Sequence, residues 1–256
     1  MVRYPIIIVL FIVLLLYNNA QCAILDDSTI IVLAKWNKHE RHLFRYSEFQ
    51  YEVKNGDTIK HGGFSRDFTI EVDDSTEHLF SLCYEREKLP LINDSIVLDE
   101  KPLRLMTNRN GALIKVLNWD SYLDWRNNHV EKTSDALFPF VSLLSFNGKK
   151  LRLNNFYRGQ QLVNGQKVGM NGMVESKSEM IVSRDYEYLG EFDLVTIKTK
   201  TSYIDKKNED SPIPFTEEFT QVIDSYNGWA IATYFERKKQ INNGVVVDGW
   251  NIKLLN

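Results

Sequence analysis

The sequence predicts a mainly β chain: antiparallel hairpins and meanders forming a curved, half-barrel-like sheet with one covering helix. Three observations predict it. Seven of the thirteen glycines follow an asparagine, at Asn55, Asn110, Asn147, Asn164, Asn171, Asn227 and Asn243. An Asn-Gly pair tolerates the positive φ angles of a type I′ turn, whose twist matches that of two paired strands. Between these pairs, apolar and polar residues alternate with the two-residue period of a strand wet on one face. A single stretch, about residues 119–130, carries helical spacing instead.

The amino-terminal residues predict export. Arg3 precedes an apolar run from Ile6 to Leu16, and Ala20 and Cys22 supply the small residues of a cleavage site. The run is too short for a membrane span, which needs about 20 apolar residues, and has the order of a signal peptide. Residues 1–22 are therefore expected to leave, with Ala23 as the new terminus and a periplasmic or secreted product. The alternative, a lipid anchor on Cys22, fits Asn19-Ala20-Gln21 poorly. No later stretch is long and apolar enough for a transmembrane segment.

Along the mature chain, Ile30 to Leu33 is expected as a first strand, and Leu43 to Val53 pairs across Asn55-Gly56 with a strand starting near Thr58. Phe68-Ile70-Val72 alternates with Thr69 and Glu71, and Leu79 to Tyr84 follows. Pro90 to Pro102 is a polar connection that holds the glycan-acceptor pattern Asn93-Asp94-Ser95. Leu103 to Met106 and Ala112 to Leu117 form a hairpin. The helix then starts with Asn118 as N-cap and Asp120 near the positive end of its dipole. Trp119, Tyr122, Leu123, Arg126 and Val130 share one of its faces, which is expected to cover the concave side of the sheet.

After the helix, Phe138 to Phe146, Leu151 to Phe156 and Met173 to Val182 are expected as strands. Val195, Ile197, Thr199, Thr201 and Tyr203 then alternate with Lys198 and Lys200 in a long strand. A break at Pro212 and Pro214 leads to Phe215 to Ile223, to Trp229 to Phe235, and to a last strand from Val245 to Leu254. Residues 23–256 thus read as one β-rich domain, its segments of about 30–117 and 138–256 joined by the helix of about 119–130. No Ser-rich or Gly-rich linker separates them.

The stretch Asn110-Gly111-Ala112-Leu113-Ile114-Lys115-Val116-Leu117-Asn118, the following Trp119-Asp120 with Trp125, the signal peptide and the closing meander resemble uncharacterised exported proteins of Bacteroidetes-type bacteria. The layout is similar to the open half-barrels of the periplasmic lipoprotein carrier and mycobacterial lipid carrier families. That resemblance implies a curved antiparallel sheet capped by helices over an apolar cavity, and it assigns no functional residue.

Composition and motifs narrow the function. Without Arg3 the balance is 30 basic against 34 acidic residues, so no basic excess exists to hold nucleic acid. Arg237-Lys238-Lys239 reads as a solvated strand end. Cys83 is the one cysteine left after processing, which precludes an intrachain disulfide, and its apolar strand makes it a buried, inert thiol. His39-Glu40-Arg41-His42 is one residue short of the zinc motif His-Glu-x-x-His, and His61, His78 and His129 are scattered, so no metal site or cofactor is expected. Asp120, Asp124 and Glu131 are read as a solvated face. Neither a nucleophile elbow nor a phosphate loop occurs. Asp73-Asp74, Glu209-Asp210 and Glu217-Glu218 are neighbours whose side chains point apart along a strand.

The expected function is noncatalytic binding of an apolar ligand or lipid, in a cavity between the sheet and Trp119, Tyr122 and Leu123. Two alternatives stand beside it. One is an envelope protein-protein interaction module that adds a strand at an edge near Pro212 to Pro214; the other is an extracytoplasmic hydrolase using dispersed acidic residues.

Overall fold

Alternating burial decides the architecture. In β3 (Arg41–Lys54), Phe44 and Tyr46 are buried while Arg45 between them is exposed; in β4 (Asp57–Ser75), Phe68, Ile70 and Val72 are buried around half-buried Thr69 and Glu71. The computed structural model describes residues 24–26, 28–86, 102–129, 138–168, 170, 172–185, 193–205 and 212–255. β5 (Leu79–Arg86), β6 (Leu103–Asn108) and β7 (Leu113–Val116) complete a first meander, and helices α1 (Trp119–His129) and α2 (Phe138–Leu143) follow. A second meander holds β9 (Phe156–Asn164), β10 (Met173–Asp185), β11 (Leu194–Asp205), β12 (Pro212–Asp224), β13 (Ala230–Ile241) and β14 (Gly244–Leu254). β1 (Ile24–Asp26), β2 (Thr29–Ile31) and β8 (Lys150–Arg152) make a separate three-stranded sheet.

The last strand joins the two meanders. β14 pairs antiparallel with β3 from Gly244↔Lys54 to Leu254↔Phe44. The result is one eleven-stranded sheet in the order β7-β6-β5-β4-β3-β14-β13-β12-β11-β10-β9, whose two ends do not pair, so it stays open rather than closing into a barrel.

The sheet is curved. The β6–β7 and β12–β13 turns lie on strands five places apart, about 24 Å in a flat sheet at roughly 4.8 Å per strand. Yet adjacent residues reach both: Ala34 N–H donates to Asn110 O at 3.3 Å and Lys35 N–H donates to Asn227 O at 3.0 Å. Consecutive residues are only about 3.8 Å apart, so the sheet must bend around this strap. Trp36, Ile30, Val32 and Leu151 plug the bent end, against Phe44, Phe68, Phe80, Leu82 and Trp229.

Several expectations change. Phe138 to Phe146 is not a strand: Phe138–Leu143 is a helix followed by turns. A mostly apolar run of this length, interrupted only by Ser142 and Ser145, is too short for its period to separate the two, and Pro139 suits a helix's first turn. It is also α2 that seats on the inner face of the sheet, held by Gln221 (below). Asn118 holds the N-cap position, its O accepting from Tyr122 N at 3.0 Å, but its side chain turns to β6 instead of capping: Oδ1 accepts from Arg104 N at 2.8 Å and Nδ2 donates to Pro102 O at 2.9 Å. Thr58 and Phe68-Ile70-Val72 belong to a single 19-residue strand.

Among the described residues, Asn55-Gly56 alone has positive φ at both turn positions, 53° and 89°. At Gly111, Gly148 and Gly228 the glycine by itself adopts it, at 83°, 77° and 77°, and at Asn164-Gly165 and Asn243-Gly244 neither residue does. The pairs mark turns, as expected, and most are not type I′. Pro212 and Pro214 do not break the chain or mark an edge. They open β12, an interior strand, at a register shift where Ser202 pairs with Thr216 and Tyr203 with Ile213, an arrangement that tolerates proline. Residues 1–23, most of Pro90 to Pro102 with Asn93-Asp94-Ser95, Glu131 and Asn171 lie outside the described residues.

Candidate functional site

Strand register sorts the inner face into rows. Gln221, Thr233, Ile252 and Tyr46 stand in one row across β12, β13, β14 and β3. Two residues further along each strand come Phe219, Phe235, Trp250 and Glu48, with Phe64 of β4 beyond them. Two further along again come Glu217, Arg237, Asp248 and Gln50, then Gly62. An aromatic row therefore lies directly beside a charged one. Together they line a concave pocket of about 980 Å³, with Ser142 of α2 on its rim.

The aromatic row is continuous. Phe235 stacks on Trp250 with centroids 5.7 Å apart, Phe219 meets Trp250 edge-on at 6.3 Å, and Tyr46 joins Trp250 at 6.3 Å and Phe64 at 5.8 Å. Such pairs add stability beyond their buried area and present a stiff apolar floor. Trp250 is buried while Phe64 is 46% exposed, so the row runs from the core to the pocket's mouth.

Arg237 organises the charged row. Its Nη2 lies 3.0 Å from Glu217 Oε1 and its Nη1 3.6 Å from Asp248 Oδ2. The guanidinium also lies over the rings of Phe215 and Phe235, at 5.5 and 5.7 Å. The second oxygen of Glu217 accepts from Tyr203 Oη at 2.6 Å. Burial pushes the Tyr203 phenol well above its usual range, and its bond to Glu217 adds to the shift, so it stays a donor at any ordinary pH.

A roof helix is fixed by one buried amide. Gln221, with no exposed surface, donates from Nε2 to Ser142 O at 2.7 Å and Leu143 O at 3.1 Å, the carbonyls that end α2. Helix ends leave such carbonyls without intrahelical donors. Gln221 supplies one from the sheet.

The outer face is different. Arg45 binds Asp67 through Nε and Nη2, at 2.7 and 2.8 Å, and Lys238 lies 2.6 Å from Glu236. Glu217 and Glu218 point to opposite faces as extended neighbours must: Glu218 meets Lys200 and Lys238 outside. Arg237, expected at a solvated strand end, instead points inward.

The chain matches no known protein family and no curated protein.

Among the described residues, no three His, Cys, Asp or Glu side chains gather to hold a metal, and no helix is long and apolar enough to cross a membrane. His42 and Glu40 of the near-zinc motif do meet, at 2.7 Å, half-buried at the edge of the core, where Trp229 Nε1 donates to the same Glu40 oxygen at 2.7 Å. Cys83 carries a thiol pushed up to about 11, first by burial and then by the charges of Asp73 and Glu85, which keeps it protonated and inert.

Of the residues expected to line a cavity, Tyr122 is 1% exposed within the main core, Trp119 packs against that core and stacks on Tyr122 at 6.0 Å, and Leu123 is half-buried. None of the three lines the pocket above. Reading the sequence strand by strand missed Glu48, Glu217, Arg237, Asp248 and Trp250. A signal for them exists: Phe215, Glu217, Phe219, Gln221 and Ile223 share one parity with Val246, Asp248, Trp250 and Ile252 on another strand. Charge on the apolar side of an alternating strand marks a functional or structural device.

Proposed function

We propose that this protein is a noncatalytic binding protein that holds an apolar or amphipathic, lipid-like small molecule in the pocket over β4, β3, β14, β13 and β12. The observation that carries the reading is the aromatic row Phe219, Phe235, Trp250 and Phe64 opening into a cavity of about 980 Å³. Small-molecule pockets span roughly 300–1,000 Å³ and combine apolar walls with a few placed polar groups. The charged row would orient a ligand whose body lies on the rings. The curved open sheet supports the likeness to half-barrel lipid carriers, and the leader-like residues 1–22 support action outside the cytoplasm.

Hydrolysis by paired carboxylates finds less support. Glu217 accepts hydrogen bonds at both oxygens and Asp248 faces Arg237, so neither stands ready as a base.

Native mass spectrometry of the purified protein, followed by organic-solvent extraction, tests the reading. A stoichiometric apolar molecule, or uptake of one from a lipid extract, supports it. A protein that arrives empty and takes up nothing contradicts it.

A second reading keeps the interaction module and moves its edge to β9. That nine-residue strand ends the large sheet and exposes Phe156 at 62% and Leu162 at 50%. An extended partner segment adding there would protect β9 amides from hydrogen exchange; unchanged β9 exchange in the presence of envelope extract would remove this reading.

A further inference from the structure

We propose that the ligand of this pocket carries an alkylated ammonium group, seated against Glu48 between the rings of Trp250 and Phe64. This deepens the proposal above and rests on its premise that the pocket binds a small molecule. Glu48 is the register partner of Trp250 on one side and of Phe64 on the other. Directly opposed residues of antiparallel strands have Cβ atoms about 4.5–5.5 Å apart, so the carboxylate stands between two aromatic side chains on the pocket wall.

Glu48 meets a hydroxyl rather than a cation among the described residues. Tyr46, two residues along the same face, donates to its Oε1 at 2.5 Å. Arg66, the nearest basic residue by register on that face, stands across from Tyr46. Glu217 and Asp248, by contrast, are both answered by Arg237. The lining holds three carboxylates and one guanidinium, a net charge that favours a cation and opposes an anionic head.

The rings decide which cation. Aromatic faces attract cations through their quadrupole, and alkylated ammonium groups are the usual guests of aromatic cages because they give up little hydration on entry. A hard metal ion needs several converging oxygens, which one carboxylate among rings does not offer. A neutral group would cover the Glu48 charge with only the Tyr46 hydroxyl to answer it.

Calorimetric titration of the purified protein with dodecyltrimethylammonium, dodecyl maltoside and dodecyl sulfate, all below micelle formation, tests the proposal. The ammonium should bind about tenfold tighter than the other two. Glu48→Gln should abolish that preference with the melting temperature unchanged, and Phe64→Leu should reduce it severalfold. Equal binding of all three heads, or a preference that survives Glu48→Gln, overturns the ammonium proposal and leaves the pocket reading intact. Binding of none overturns both. Choline against its neutral isostere 3,3-dimethylbutan-1-ol separates the sources: a preference for choline alone assigns a free organic cation, and a preference seen only with a tail assigns a lipid headgroup.

Discussion

Trp36 lies flat against Trp229, with ring centroids 4.4 Å apart and planes 23° apart. Trp36 comes from the strap that crosses the bent end of the sheet, and Trp229 from the turn into β13. Their stack therefore fixes how far the sheet curls. Phe80 and Phe44 pack around the pair, with centroids at 5.1 Å from Trp36 and 6.2 Å from Trp229.

Trp229 also holds a polar contact that a benzene ring cannot make. Replacing Trp229 by Phe keeps an aromatic ring in the stack and removes the N–H that donates to Glu40 at 2.7 Å. A hydrogen bond to a charged group contributes about 1.5–3 kcal/mol. Urea unfolding of Trp229→Phe should show a loss of about that size, plus the cavity left by the smaller ring.

Glu40 makes the same region sensitive to acid. Partial burial opposes ionisation of Glu40, but hydrogen bonds from His42, the Asn37 N–H and Trp229 outweigh it and hold the carboxyl below its ordinary value of 4.5. A carboxyl with a lowered folded pKa contributes stability that is complete above the unfolded value and is lost as pH falls through the folded one. Melting temperatures of the wild type and Glu40→Gln, measured from pH 7 to pH 3, should differ most above pH 4.5 and converge below it. A pH-independent gap would assign Glu40 a packing role alone.

Gln221→Leu should loosen the roof. The substitution removes the donor to Ser142 O and Leu143 O; Ser142 O keeps the Ser145 hydroxyl at 2.9 Å, and Leu143 O loses its side-chain donor at a buried helix end. The loss of such a donor costs about 1–3 kcal/mol. Amides around 141–146 should exchange faster than in the wild type, and to a greater extent than those of the distant β5.

Gly249 is required by close packing rather than by an unusual backbone. A Cβ there would stand 2.3 Å from Phe235 O and 2.7 Å from Phe49 Cζ, because the Phe49 ring covers the glycine across the strand pair. A strand carbonyl cannot retreat without breaking its ladder. Gly249→Ala should destabilise the protein by about 1–3 kcal/mol, the usual cost of overpacking, as read from thermal unfolding.

The β architecture is legible in the sequence because strand alternation and turn residues are local signals. Val195 to Tyr203 and Trp229 to Phe235 alternate as expected, and the Asn-Gly pairs mark junctions between elements. α2 is not legible, since Phe138 to Phe146 is too short for its period to decide and what holds Ser142 and Leu143 is Gln221, 79 and 78 residues away in the chain. The pocket is hidden for the same reason. Glu48, Trp250 and Arg237 meet only because β14 returns to pair with β3, a long-range pairing that no local pattern encodes. The apolar face of Trp119 and Tyr122 is legible as a buried stripe, and core and cavity walls share that composition.

Hydrogen exchange of the purified protein with and without dodecyltrimethylammonium tests the central claim most directly. Binding in the pocket should protect amides within residues 46–50, 62–66, 217–221, 233–237 and 246–250, and leave β9 and α1 unchanged. Protection confined to β9 or to α1, or none at saturating ligand, would contradict it.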